Sequence, residues 1–207
     1  MHRIIAVFAL LLTASAAFAA APSPTSSSVP GHIRVVGWNG VSADDAFGRF
    51  TITVRDAYGA PVANSIVLVD FAMLSDVRLG ANQYDPSVVT NCPHRCVRKA
   101  TGPDGTASFT VVGRGTGSLH TLGVIQADVW ADGVLIGRPR VEIFDLDGAN
   151  GLGANDMSLW MDDYGQLQYF GRGDYDGDGR LGANDLAIWL MALGGGGSTQ
   201  SVPLACP

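Results

Sequence analysis

Residues 49–55 read Arg49-Phe50-Thr51-Ile52-Thr53-Val54-Arg55. Apolar and polar side chains alternate with period two. In an extended chain this sends Phe50, Ile52 and Val54 to one face and the arginines and threonines to the other, the pattern of a strand with one buried face. Asp56-Ala57-Tyr58-Gly59 follows as a turn. The same grammar continues outward. Ser65 to Phe71 is a short apolar strand, and Asp104-Gly105 is a turn before Ala107-Ser108-Phe109-Thr110-Val111-Val112. Leu122 to Trp130 alternates again, and Ala131-Asp132-Gly133 turns the chain into Val134-Leu135-Ile136 as a hairpin. Arg140 to Phe144 is a last strand. Roughly seven short strands at this spacing predict a mostly β fold, a sandwich over residues 31–144. Residues 72–97 are strand-poor and predict an inserted loop holding two cysteines.

The chain has 207 residues, 47% of them apolar and 15% charged, which is enough apolar material for a packed core. Its formal net charge is −6. Asp supplies 18 of the 19 acids and Glu142 the other. Residues 141–207 carry ten acids and two bases, a net of −8, whereas residues 20–140 carry nine acids and ten bases, a net of +1. An acidic final third repels phosphate and anionic lipid, which argues against nucleic acid as a partner. Asp in place of Glu points to turns and metal loops.

Arg3, the apolar run Ile4 to Leu12 and Ala17-Phe18-Ala19 have the layout of a secretory signal with a small-x-small cleavage site. Residues 1–19 are therefore expected to be removed, leaving a secreted or cell-surface chain without a membrane span. Residues 20–30, rich in Pro, Ser and Thr, are expected to form a flexible linker, and residues 195–207 a flexible tail. Export permits disulfides. The expected one is Cys92–Cys96, with Cys206 left over. A zinc site on Cys92, His94 and Cys96 would need a fourth ligand, from His32 or His120.

The clearest signal is an internal repeat. Residues 145–165 align with 174–194 at an offset of 29, with ten of 21 positions identical. The second copy, Asp174-Tyr175-Asp176-Gly177-Asp178-Gly179-Arg180-Leu181-Gly182-Ala183-Asn184-Asp185, has the form of a twelve-residue calcium loop. Calcium is a hard cation that takes about 6–8 oxygens. Asp174, Asp176, Asp178 and Asp185 stand at positions 1, 3, 5 and 12, the Arg180 carbonyl at position 7, and Gly179 at the sharp turn of position 6. In the first copy Asp145, Asp147 and Asp156 fill positions 1, 3 and 12, with the Gly151 carbonyl at position 7. Ala149 offers nothing at position 5, and Asn150 takes the turn. One strong and one weaker calcium site follow. Four carboxylates in one loop repel each other, so the second loop is expected to order only around the cation.

A helix should follow each loop. Met157, Trp160, Met161 and Tyr164, and then Leu186, Trp189, Leu190 and Leu193, fall at i, i+3, i+4 and i+7. The two stripes are expected to bury against each other, with the Trp pair in the seam.

A loop followed only by its exiting helix, duplicated within about 60 residues and keeping Asp at position 12, resembles a dockerin. The resemblance covers residues 145–194. It implies a small helical module whose loop positions 10 and 11 touch a cohesin partner. Here these are Ala154 and Asn155 in copy one and Ala183 and Asn184 in copy two. They are not the Ser-Thr pair common in cellulosomal dockerins. The phrasing Thr53-Val54-Arg55-Asp56-Ala57-Tyr58-Gly59-Ala60-Pro61-Val62 with Asp104-Gly105-Thr106-Ala107 resembles bacterial immunoglobulin-like domains.

No Ser-elbow motif, phosphate loop or paired-Glu arrangement is present, so a non-catalytic protein is expected. The leading expectation is calcium-ordered docking onto a protein partner, with the sandwich as spacer or adhesive unit. A calcium module that only stiffens the chain is the second. An accessory part in extracellular polysaccharide degradation is the third. Binding of carbohydrate by Trp38, Trp130, Tyr58 or Tyr84 has no support beyond their aromaticity, and packing is the expected role.

Overall fold

A computed structural model describes residues 20–43, 45–117, 123–166, 168–194 and 205–206. The expected signal segment and His120 lie outside them. The alternating stretch forms strand β2 (Arg49–Thr53). It pairs antiparallel with β7 (Thr106–Thr110), stacking Phe50 on Phe109 at 5.5 Å inside, while Thr51 and Ser108 share a hydroxyl hydrogen bond outside. Alternation thus becomes one buried and one wet face.

The chain is mostly β with few helices, and 11 strands are found among the described residues. The largest sheet has five strands. At its centre runs β3 (Ile66–Asp70), flanked on one side by β9 (Asp128–Ala131) and β10 (Val134–Gly137) and on the other by β6 (Cys96–Ala100) and β5 (Val89–Asn91). The β9–β10 hairpin turns on Asp132 and Gly133, both at positive φ (47° and 83°), as an Asp-Gly two-residue turn requires. Strand β1 (His32–Val35) lies parallel to β11 (Arg140–Ile143), so the start of the β-structure pairs with its end. Strand β4 (Arg78–Leu79) pairs with β8 (Gly113–Arg114), and a four-residue helix α1 (Asp45–Gly48) precedes β2. Residues 72–97, expected as a loop, hold β4, β5 and the start of β6. Their short strands carry too few alternating residues to show in the sequence.

Two longer helices follow the acidic loops, α2 (Ala154–Gly165) and α3 (Ala183–Leu193). The predicted stripes hold in part: Met157, Trp160, Leu186, Trp189 and Leu193 pack on the core. The buried positions are Asp156, Trp160 and Asp163 in α2, and Asp185, Trp189 and Ala192 in α3. Met161, Tyr164 and Leu190 are about half exposed. Each helix turns its Trp into the core shared with the strands, which also takes in Leu146, Leu152 and Tyr175. No helix among the described residues is long and apolar enough to cross a membrane.

The disulfide is also corrected. Cys92 bonds Cys206 across 114 residues, and the Cys96 thiol is free and buried. Cys96 opens β6 opposite Asn91 with its side chain in the interior, where burial raises the thiol pKa. Cys92 belongs to the turn and stays partly accessible. The expected tail is therefore anchored at residues 205–206. Ala205 bridges Gly80, and the Cys206 N–H donates to Leu79 O at 2.7 Å.

A cross-link closing so long a loop restricts the unfolded chain strongly. Cys206→Ser should cost about 2–4 kcal/mol, read as a lower urea midpoint. Non-reducing peptide mapping should recover a peptide joining residues 92 and 206, with Cys96 labelled only after unfolding. A 92–96 peptide would contradict the pairing.

Candidate metal centre

Each acidic loop closes on itself in the same way. In copy one the Asp156 carboxylate accepts from the Asp147 N–H at 2.9 Å and the Gly153 N–H at 2.8 Å. In copy two Asp185 accepts from Asp176 at 3.0 Å and Gly182 at 2.8 Å. The position-12 carboxylate therefore ties loop position 3 to the N-cap glycine of the following helix. There its charge also meets the positive end of the helix dipole. The turn residues take positive φ as expected, 63° at Asn150 and 91° at Gly179.

This closure gathers two acidic groups, Asp145 with Asp147 and Asp156, and Asp174 with Asp176 and Asp185. Within each, one oxygen per residue lies within 4.8 Å of the others. Positions 1 and 12 are buried and position 3 half-buried. Asp178, expected as a ligand at position 5, stands outside the second group and is exposed, its carboxylate accepting from the Arg180 N–H at 2.8 Å. Arg180 and Gly151 occupy position 7 and can each offer a backbone carbonyl. Ala154, Asn155, Ala183 and Asn184 open the two helices, and all four are exposed.

A group of three acids can hold a cation, and one atom speaks for it. Asp174 is fully buried, and its Oδ1 has no hydrogen-bond partner among the described residues. Its Oδ2 accepts from the Gly179 N–H at 2.9 Å, from the Tyr169 hydroxyl and, at 3.4 Å, from Arg140 Nη1. A buried carboxylate oxygen left without a donor is costly, and a cation would satisfy it. Burial also pushes the Asp156 carboxyl up to about 6 and raises Asp185. Bringing such acids together without a counter-charge is unfavourable, and a hard divalent ion matches an all-oxygen donor set.

Two features had escaped the sequence reading. Arg172 reaches back to Asp163 with two nitrogens, at 2.7 and 3.0 Å, both residues fully enclosed. With the Trp160 indole N–H donating to Gly173 O, this fixes the segment between the copies. Glu142 of β11 is fully buried and within the field of Asp174, with His32 Nδ1 3.5 Å from its Oε1. At that distance the contact is an ion pair when His32 is protonated, and not a well-formed hydrogen bond. His32 and Glu142 lie on strands far apart in the sequence, and Asp163 and Arg172, nine residues apart, stand in no pattern that signals their pairing. His94 is exposed, and the Cys92–Cys206 bond takes Cys92 from the zinc alternative.

No family model and no curated protein matches the chain. Among solved structures, the Yersinia pseudotuberculosis adhesin InvE is similar over 59% of this chain and 28% of that one, at 18% identity and a TM-score of 0.25. A superposition of that extent carries no argument about fold or function. The chain spans under a third of that adhesin's length.

Burial pushes the Glu142 carboxyl up to about 7, against 4.5 for the ordinary group. The folded chain holds a proton across that interval which the unfolded chain releases, so stability falls as pH rises through it. His32 is raised by its contact with Glu142 and has the same sign: its contribution is present below 6.5 and lost as pH rises through its folded value. In chelator, the denaturant midpoint should be higher at about pH 5 than at about pH 7.5. Glu142→Gln should shrink the difference, and a wild-type midpoint that climbs over this range would refute the assignment.

Proposed function

We propose that residues 145–194 form a dockerin-like module that binds calcium in two loops, the second more tightly. We propose further that it docks onto a protein partner of cohesin type, while residues 31–144 form an immunoglobulin-like sandwich acting as spacer or adhesive unit. On this reading the protein is exported, works outside the cell or at its surface, and is not an enzyme. The observation that carries it is the repeated loop closure: the same donors, at the same positions 29 residues apart, gather three carboxylates at the start of a helix. Asp178 in copy two and Ala149 in copy one make the sites unequal. The exposed pairs Ala154–Asn155 and Ala183–Asn184 suit partner contact.

A second reading, calcium as a stiffener of the chain alone, is favoured by the core that the loops share with the strands. A polysaccharide-degrading role would be accessory to other proteins.

Calorimetric titration of calcium into residues 20–207 should give one tight and one weaker site. Asp185→Ala should lower affinity more than Asp156→Ala, by roughly tenfold or more at the tight site. Equal losses would contradict unequal sites, and no saturable binding at about millimolar calcium would overturn the calcium reading. Replacing Asn155 and Asn184 with Arg should leave calcium binding intact while abolishing any calcium-dependent complex with an exported partner. An undiminished complex would move the docking surface elsewhere.

A further inference from the structure

Both acidic loops meet the strands through the same two backbone carbonyls. At loop position 2, Leu146 O accepts from the Gly117 N–H at 3.0 Å, and Tyr175 O accepts from the Arg34 guanidinium, Nε lying at 3.0 Å. At position 4, Gly148 O accepts from Arg114 Nη1 at 2.7 Å and Gly177 O from Arg140 Nη1 at 2.9 Å. The loops are copies of one another, but their donors are not. Arg34 comes from β1, Arg114 from β8, Gly117 from the segment after it, and Arg140 from β11.

The fit is close. A Cβ on Gly115 would lie 2.2 Å from Leu146 O, one on Gly148 would lie 2.5 Å from Gly115 O, and one on Gly177 would lie 2.9 Å from His32 Nδ1. Positions 2 and 4 thus face the strands, while positions 1, 3 and 12 carry the gathered carboxylates. Positions 1 and 3 share this backbone, so fixing the carbonyls of positions 2 and 4 sets the spread of their carboxylates.

We propose that Arg34, Arg114 and Arg140, with the Gly117 amide, are positioning residues for the two cation sites, and that cation binding is thereby coupled to β1, β8 and β11. This rests on the calcium reading above. Coupling free energy is reciprocal, so strands that hold the loops in binding geometry must themselves gain stability when the cation binds. Without the tethers, part of the binding free energy goes into ordering the loop, and affinity falls.

The experiment combines hydrogen exchange by mass spectrometry with calorimetry on residues 20–207, in chelator and in about 1 mM calcium. In the wild-type chain, calcium should slow exchange in β1, β8 and β11 as well as in the loops. Arg34→Met should lower affinity at loop two about tenfold, leave loop one unchanged and remove the calcium response of β1. Arg34→Lys, which restores one donor, should recover part of both. Wild-type binding with slowed exchange confined to residues 145–156 and 174–185 would overturn the coupling while sparing the calcium reading. So would unchanged affinity in Arg34→Met. The wild-type arm needs no variant to fold. No heat and no change in exchange in the wild-type chain would overturn both.

Discussion

Tyr175 occupies loop position 2 of the second copy and is fully enclosed. Its ring stacks on Phe144 at 4.7 Å, and its hydroxyl donates to Ile143 O at 2.9 Å. Phe144 directly follows β11 and Asp145 begins the first loop, so one side chain pins the second loop to the junction that launches the first. Burying so large a ring contributes roughly 1.5–3 kcal/mol, and its hydroxyl needs the partner it has. The second loop is therefore laid over the parallel pair β1–β11 and the first over β8 and the segment after it, and neither hangs from a linker.

Electrostatics follows the same geometry. Residues 20–140 are close to neutral and the last third is strongly acidic. At the contact between them, arginines of β1, β8 and β11 reach loop carbonyls, and Arg140 also reaches Asp174. An estimate of loop order from the acids alone leaves out these donors, which hold the backbone by means independent of any metal. The cost of gathering carboxylates remains, and it is concentrated where a cation could remove it.

Local pattern made part of this legible. The alternation of residues 49–55, the Asp132-Gly133 hairpin and the 29-residue repeat are each encoded within a few turns of chain, and the structure places each where the pattern does. Most of the misses are contacts between distant segments. Cys92 was matched with the nearest cysteine because sequence separation is all that a sequence offers, yet Cys96 faces the interior of β6. The helical stripes were read as if each helix had only the other to pack on; Trp160 and Trp189 enter a core shared with the strands, while Met161, Tyr164 and Leu190 face out. Glu142 had been noted only as the chain's single glutamate, since burial beside His32 leaves no trace in composition.

The Cys92–Cys206 bond has a mechanical meaning as well as a thermodynamic one. Both acidic loops and both helices lie inside the covalent ring it closes. Tension applied at residue 206 enters the turn after β5 through sulfur and bypasses α3 entirely. A partner gripping the exposed helix starts would instead pull on residues 154–155 and 183–184, against the carbonyl contacts on β1, β8 and β11. The chain thus offers two separate routes for force, one covalent and one made of hydrogen bonds.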